Sequence, residues 1–420
     1  MINFKIRRGL AGSAVFVPGA AAIVLAIAIV LAPEASFNAS LEGLKLWWTI
    51  VFPALLPFLI LSEMLNAFGF VHGVGVLLEP LMRRLFRLPG AGGWTLVMGI
   101  TAGFPGGAGA VRQLHKQGIL TDKEAGSMAS IVHYASPVTL LIVIGTAFLH
   151  SPAAGYALLA IHWLSGLAAG SIAVRLGAAQ PAAPIPAPAA ETAQARIPGN
   201  SLNAKKASLP GRIHQAVLDA RSRDGRGFGK VLGESVSAAV QNLMIVGGYM
   251  IMFAVVVSII STLLPQLPPR FTAGLLEIHL GARAMVPEAV NSSFILGSRL
   301  GPALLSAALA WSGICAQLQA LTLLRPAQVR FLPFAAVRLL HAALAFALTA
   351  VLWQPLMNTR AAVLPVFTGL ASASQQGSPS LLRLWSFIPQ MLGLQGLLLL
   401  LFLVLSAAVR LFSRHRRPSG

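Results

Sequence analysis

The chain has 420 residues, of which 56% are hydrophobic and only 10% charged, with a mean hydropathy of +0.76 and a formal net charge of +19. This composition excludes an ordinary soluble domain and points to a polytopic, all-α membrane protein. The single cysteine, Cys315, excludes an intrachain disulfide; the basic residues lie between apolar spans, which fits cytoplasmic loops and anionic lipid headgroups rather than a nucleic-acid surface.

Met1–Leu10 carries Lys5, Arg7 and Arg8 and precedes an uncharged run, Ala14–Ala32, long enough to cross a bilayer at about 1.5 Å per residue. It reads as a retained first span rather than a cleaved signal peptide: its apolar core exceeds the usual ~7–15 residues, and Pro33 fits poorly after a cleavage point. The next span, Leu44–Phe68, contains Pro53, Pro57 and Glu63. The prolines kink it, and a carboxylate inside a span is costly unless paired, so Glu63 is a candidate coupling or structural acid. A position at the interface is the bland alternative. Gly69–Gly92 reads as loop and surface helix, with Arg83, Arg84 and Arg87 at a membrane surface.

Gly99-Ile-Thr-Ala-Gly-Phe-Pro-Gly-Gly-Ala-Gly109 then puts five glycines and a proline into eleven positions of an apolar run. Each glycine costs a helix roughly 1 kcal/mol and Pro105 removes a donor, so Trp94–Val111 is predicted to be broken or re-entrant. Freed backbone groups at membrane depth are tolerated only where they are buried in protein or line a watery cavity. A hairpin entering and leaving on the cytoplasmic side keeps Arg112, Lys116 and Lys123 on the same side as Arg83, Arg84 and Arg87. Glu124–Leu149 and Ala154–Val174 follow as two spans.

From Arg175 to Lys230 the composition turns Ala/Pro-rich and then basic, which predicts a cytoplasmic linker, disordered in its Pro-Ala part, dividing the molecule in two. Within it Gly225-Arg-Gly-Phe-Gly-Lys230 superficially suggests a phosphate loop. It is one residue short, and Val231 replaces the required Ser or Thr, so that reading is discarded. The second half is drawn as a span at Glu234–Leu263, a possible second re-entrant element within Pro265–Leu300, and spans at Gly301–Leu324, Phe331–Trp353 and Met391–Leu411.

This gives a terminal anchor (1–40), a membrane repeat (41–174), the linker (175–230), a second repeat (231–353), and an outer loop with a last helix and basic tail (354–420), both termini being cytoplasmic. The two repeats carry the same order of elements with opposite orientation, the layout of inverted-repeat transporters, whose site lies near the midplane.

Trp47-Trp48-Thr-Ile-Val-Phe-Pro-Ala-Leu-Leu-Pro57, Leu78-Glu-Pro-Leu-Met82, Gly103-Phe-Pro-Gly-Gly-Ala108, Gly274-Leu-Leu-Glu-Ile278 and Trp311-Ser-Gly313, taken in order, resemble the sporulation integral membrane proteins of the YlbJ type, which contain the nucleoside-recognition or Gate domain. The resemblance covers about Leu41 to Leu352 without the linker. It implies a protein of the membrane around the forespore that moves dipicolinic acid towards the spore core, and distant kinship with concentrative nucleoside transporters, which use re-entrant hairpins. Two features depart from the pattern: His133-Tyr-Ala-Ser-Pro137 stands where an Asn-rich stretch is expected, and the linker is long and basic.

A dicarboxylate needs positive potential and donors, which half-helix N-termini supply, so Gly103, Phe104, Pro105, Gly106 and Gly107 are candidate substrate residues. Close packing through small residues is the alternative. Arg338, inside a predicted span with His341 on the same face, is a candidate carboxylate reader, or else a partner of Glu277 or Glu63 or a side chain reaching the interface. Glu277 with His279 would suit proton coupling, but their i, i+2 spacing makes them poor partners on one helix. Ser136, Gln241, Asn242, Ser312 and Gly313 complete the candidates. No catalytic constellation, metal spacing or nucleotide loop is visible. The expected protein is thus not an enzyme and holds no cofactor or metal. Its partners are an anionic small molecule, an unknown coupling ion and the bilayer, with a homo-oligomer possible; the other readings considered are a nucleoside-type transporter and a structural or assembly protein of the membrane without transport activity.

Overall fold

The computed structural model describes residues 19–176, 208–286 and 300–358, together with Leu400, Val404 and Ala407, and every regular element among them is helical. The expected last span, the outer loop, the Pro-Ala part of the linker and both chain ends lie mostly or wholly outside the described residues. Among the described residues, four stretches are long and apolar enough to cross a membrane, and two bent helix pairs raise the number to as many as six.

Helix α1 (Gly19–Leu31) does not run on as one straight rod; the chain turns by 107° at Ala32, and Pro33 opens α2 (Pro33–Leu46). Proline is tolerated there because the first helical N–H has no partner to lose. The stretch after Pro33, left between spans by the sequence reading, is therefore helix. A π-helical turn, Trp47–Val51, carries α2 into α3 (Phe52–Ala67). Trp47 donates its indole N–H to the Leu243 carbonyl at 3.0 Å.

The region expected to be loop and surface helix is instead a mostly buried helix, α4 (Phe70–Leu81), bent by 86° from α3. Its glycines explain why: α4 packs on α9 (Leu209–Asp224), and a Cβ on Gly73 would meet Val217 at 3.0 Å. Helix α9 itself corrects the linker. Ser208 caps it, Pro210 lies in its first turn and Gly225 closes it at φ 64°, so the basic end of the linker is an ordered helix docked on the first half. Helix α10 follows at once and runs Phe228–Leu263, starting earlier than Glu234. The Gly225–Lys230 motif is simply the joint between them.

The rest repeats one order of elements twice. In the first half, α5 (Gly92–Ala102) and α6 (Phe104–Lys116) form a hairpin, followed by α7 (Asp122–Ile131), a π-helical segment (Val138–Phe148) and α8 (Pro152–Arg175). In the second, α11 (Pro269–Leu276) and α12 (Ile278–Met285) form a hairpin, followed by α13 (Leu300–Trp311), α14 (Gly313–Leu323) and α15 (Phe331–Asn358). The hairpin legs touch main chain to main chain: a Cβ on Gly107 would lie 2.9 Å from the Gly99 Cα, and one on Gly281 only 2.4 Å from the Gly274 Cα. Glu124–Leu149 is not the continuous span expected, being interrupted at Val132–Ser136. Leu300–Leu323 is long and apolar enough to cross, as expected, with a local break at Ser312.

Candidate functional site

The four interruptions meet. At Gly103 the backbone takes φ 82° and ψ −172°, which an L side chain rarely adopts, and a Cβ there would lie 3.0 Å from the Ser136 Cβ. This seats the first hairpin tip on the break of the following element. The second half repeats the arrangement: Gly313, at φ 74°, approaches the Leu276 carbonyl and the Glu277 N–H. The halves are then joined, because the His133 Nε2 and the Ser312 hydroxyl are hydrogen-bonded at 2.8 Å.

Between the tips lies a cavity of about 30 Å³ lined by Gly103, Phe104, Pro105, Ser136, Thr139, Glu277, His279 and Gln319, with Val51, Leu55, Val246 and Met250 closing its sides. It has room for one or two waters and no more. Three helices begin on it: α6 at Gly103, the π-helical segment just after Ser136, and α12 at Glu277. Helix starts present the positive end of the dipole, set here against the Glu277 carboxylate on the same wall, and no Arg or Lys lines the cavity.

The polar side chains there are mostly held. The Ser136 hydroxyl accepts from the Thr139 N–H at 3.1 Å and exchanges a bond with the Thr139 hydroxyl at 3.0 Å. Glu277, in extended conformation, caps α12 by accepting the Leu280 N–H at 2.7 Å, and its other oxygen meets the His279 Nδ1 at 2.9 Å. The objection to that pair, drawn from helical spacing, fails because Glu277 stands before the helix rather than on it. Gln319 donates to the Cys315 Sγ at 3.1 Å, while its buried Oε1 accepts no hydrogen bond.

A family model for nucleoside recognition, the Gate domain, matches residues 48–151. That stretch holds the first hairpin and the Val132–Ser136 break, half of the cavity's frame. Over 364 residues, 80% of this chain and 81% of the relative, the sequence is 33% identical to the sporulation integral membrane protein YlbJ of Bacillus subtilis (strain 168). The chain belongs to the YlbJ family of sporulation integral membrane proteins. No solved structure matches it.

Of the residues singled out from sequence in this YlbJ-family chain, Gly103, Phe104, Pro105, Ser136 and Glu277 line the cavity, and Ser312 and Gly313 form the break beside it. Gly106 and Gly107 pack instead: their Cβ positions would strike Ala102 and the Val132 carbonyl at 2.5 and 2.7 Å. Gln241 is exposed and turned to Ser237. Asn242 and Glu63 belong to a separate polar cluster, where Arg112 donates to the Asn242 Oδ1 at 3.3 Å and Gln113 to the Glu63 carboxylate at 3.0 Å.

Arg338 corrects the sequence reading most. It is 1% exposed, lies off the cavity and pairs with neither Glu277 nor Glu63. Its guanidinium donates to the carbonyls of Ser130 and His133, the latter at 2.6 Å, and contacts the His341 Nδ1 at 3.2 Å. The Ser130 carbonyl is an orphan of the α7 C-terminus, and the His133 carbonyl lies just beyond it. The sequence reading missed Thr139 and Gln319 as cavity residues and His133 as the link between halves, and set His279 aside on its spacing from Glu277. Ser136-Pro137 was a usable signal, since the residue before proline is driven out of helix.

Proposed function

We propose that this protein is a transporter that carries a small polar solute across the membrane in which it sits during sporulation, binding it between the two hairpin tips. The observation that carries the reading is the meeting of four helix interruptions around one buried cavity. Discontinuous helices whose ends face a midplane site are how many secondary transporters hold their cargo. The repeated order of elements supports an inverted repeat, with the hairpins as re-entrant elements. At about 30 Å³ the cavity has no room for a solute, so one is accommodated only when the halves part. A solute gradient or a coupled ion supplies the energy.

For the solute, the three helix starts favour an aromatic dicarboxylate, and dipicolinate moved across the forespore membrane is the proposed cargo. A nucleoside is the second reading. It is favoured by the matched Gate model and by a lining of carboxylate, imidazole, amide and hydroxyl groups suited to sugar hydroxyls. A thermal-shift series on the purified protein, with pyridine dicarboxylates, nucleosides and simple anions, decides between them, because a ligand that binds only the folded state raises its apparent stability. Stabilisation by dipicolinate at concentrations where nucleosides do nothing is expected. The reverse order selects the nucleoside, and no shift from either class in a folded sample removes both.

A further inference from the structure

A second, larger cavity of about 220 Å³ opens beside the first, between the start of α7 and the joint of α14 with α15, lined by Asp122, Lys123, Gly126, Ser130, Arg330 and Phe334 among others. The two cavities are separated by three aromatic rings in series. Phe104, on the wall of the first cavity, stacks on His133 with ring centres 5.2 Å apart and planes at 24°. His133 meets Phe334, on the wall of the second, edge to face at 5.1 Å. His133 is buried and pinned at both ends, its ring by the Ser312 hydroxyl and its carbonyl by Arg338. Arg338 also lies 5.8 Å from the Phe334 ring centre and holds the Ser130 carbonyl on the wall of the second cavity.

From this juxtaposition we infer that the second cavity is the vestibule of the solute site and that the Phe104, His133 and Phe334 stack is the gate between them, latched by Arg338. Phe104 comes from the first hairpin, His133 from the first break, and Phe334 and Arg338 from α15 of the second half. Relative movement of the halves therefore parts Phe334 from His133. Edge-to-face and stacked ring pairs are weak individually, which suits a barrier that must open repeatedly. The inference rests on the transport reading only in taking the first cavity as the solute's place.

The test reads the barrier and not the solute. In a Cys315→Ser background, single cysteines at Ser136, in the first cavity, and at Gly126, in the vestibule, are reacted with a small positively charged methanethiosulfonate. A Cβ at Gly126 meets nothing within 4 Å, so that reporter fits without strain. Gly126→Cys should react fast throughout. Ser136→Cys should react slowly with the stack intact and at least tenfold faster when Phe334→Ala or Phe334→Leu removes the terminal ring. An unchanged Ser136→Cys rate in a monodisperse ring variant overturns the gate. If neither ring variant folds, the intact protein decides alone: Ser136→Cys reacting as fast as Gly126→Cys overturns it, and slow reaction supports it. A failure to bind any solute, with this pattern present, would strike the transport reading and leave the barrier standing.

Discussion

Arg338 on α15 donates to the His133 carbonyl at 2.6 Å across 205 residues of chain, fixing the point where α7 ends to the last long helix of the second half. Replacing it with Gln leaves two buried carbonyls short of a charged donor, at roughly 1–3 kcal/mol each. Arg338→Gln should lower the unfolding temperature of the purified protein, and Arg338→Lys should do so nearly as much, since a point charge cannot reproduce the planar fork. Solute affinity in whatever fraction folds should be unchanged. Loss of binding with full stability would return Arg338 to the cavity.

The hairpin tip predicts a contrast among glycines. Gly103→Ala forces a side chain into a left-handed backbone and against Ser136; the strain should cost on the order of 1–3 kcal/mol and abolish solute binding. Gly126→Ala, inside α7 with open space around it, should leave binding unaltered and raise stability by up to about 1 kcal/mol. Chemical denaturation and ligand titration of the two variants check this, and equal behaviour would mean the tip does not shape the site.

Glu277 combines a helix cap with a cavity carboxylate. Glu277→Gln retains one oxygen to accept the Leu280 N–H, so the fold should survive, with stability changed by about 1 kcal/mol or less. Solute affinity should fall at least tenfold for a nucleoside that uses the carboxylate, and should rise for a dicarboxylate that is repelled by it. Calorimetric titration with both ligands reads the sign directly.

The joint between α9 and α10 should respond to pH. Arg226 donates to both Asp224 oxygens, at 2.9 and 2.6 Å, and holds that carboxyl below its ordinary value of 3.8. A carboxylate with a lowered folded-state value contributes stability above its unfolded value and loses it as pH falls through the folded one. The joint should therefore be intact from neutrality to about pH 5 and loosen below about pH 4. Amide exchange over Gly225 to Phe228, corrected for its intrinsic rate and compared at pH 6 and pH 3.5, should show this, and Arg226→Gln should remove the difference.

Much of this architecture was legible in the residues. Gly99–Gly109 announced the first hairpin because five glycines and a proline defeat a helix locally, whatever surrounds them. The Val132–Ser136 break was hidden because only Pro137 marks it, and the tertiary contacts of His133 complete what the local sequence leaves open. Helix α9 carried its own signals, Ser208 with Pro210 at the start and Gly225 at the end, but the Ala/Pro-rich composition before it drew them into a linker. Arg338 was placed inside a span, with burial and a reach to the interface both left open. Its role was not readable, since its partners are backbone carbonyls, which have no sequence identity.

The glycine contacts within the hairpins also set the mechanics. The Gly107 to Gly99 and Gly281 to Gly274 seams bring backbone onto backbone, and Gly145 meets Gly155 in the same way where the π-helical segment lies on α8. A contact between side chains can yield by exchanging rotamers, but these seams have none to exchange. Each pair of legs is therefore obliged to swing as one stiff paddle. Whatever compliance the molecule needs must be found where side chains do the touching, along Leu55, Val246 and Met250 at the margin of the cavity.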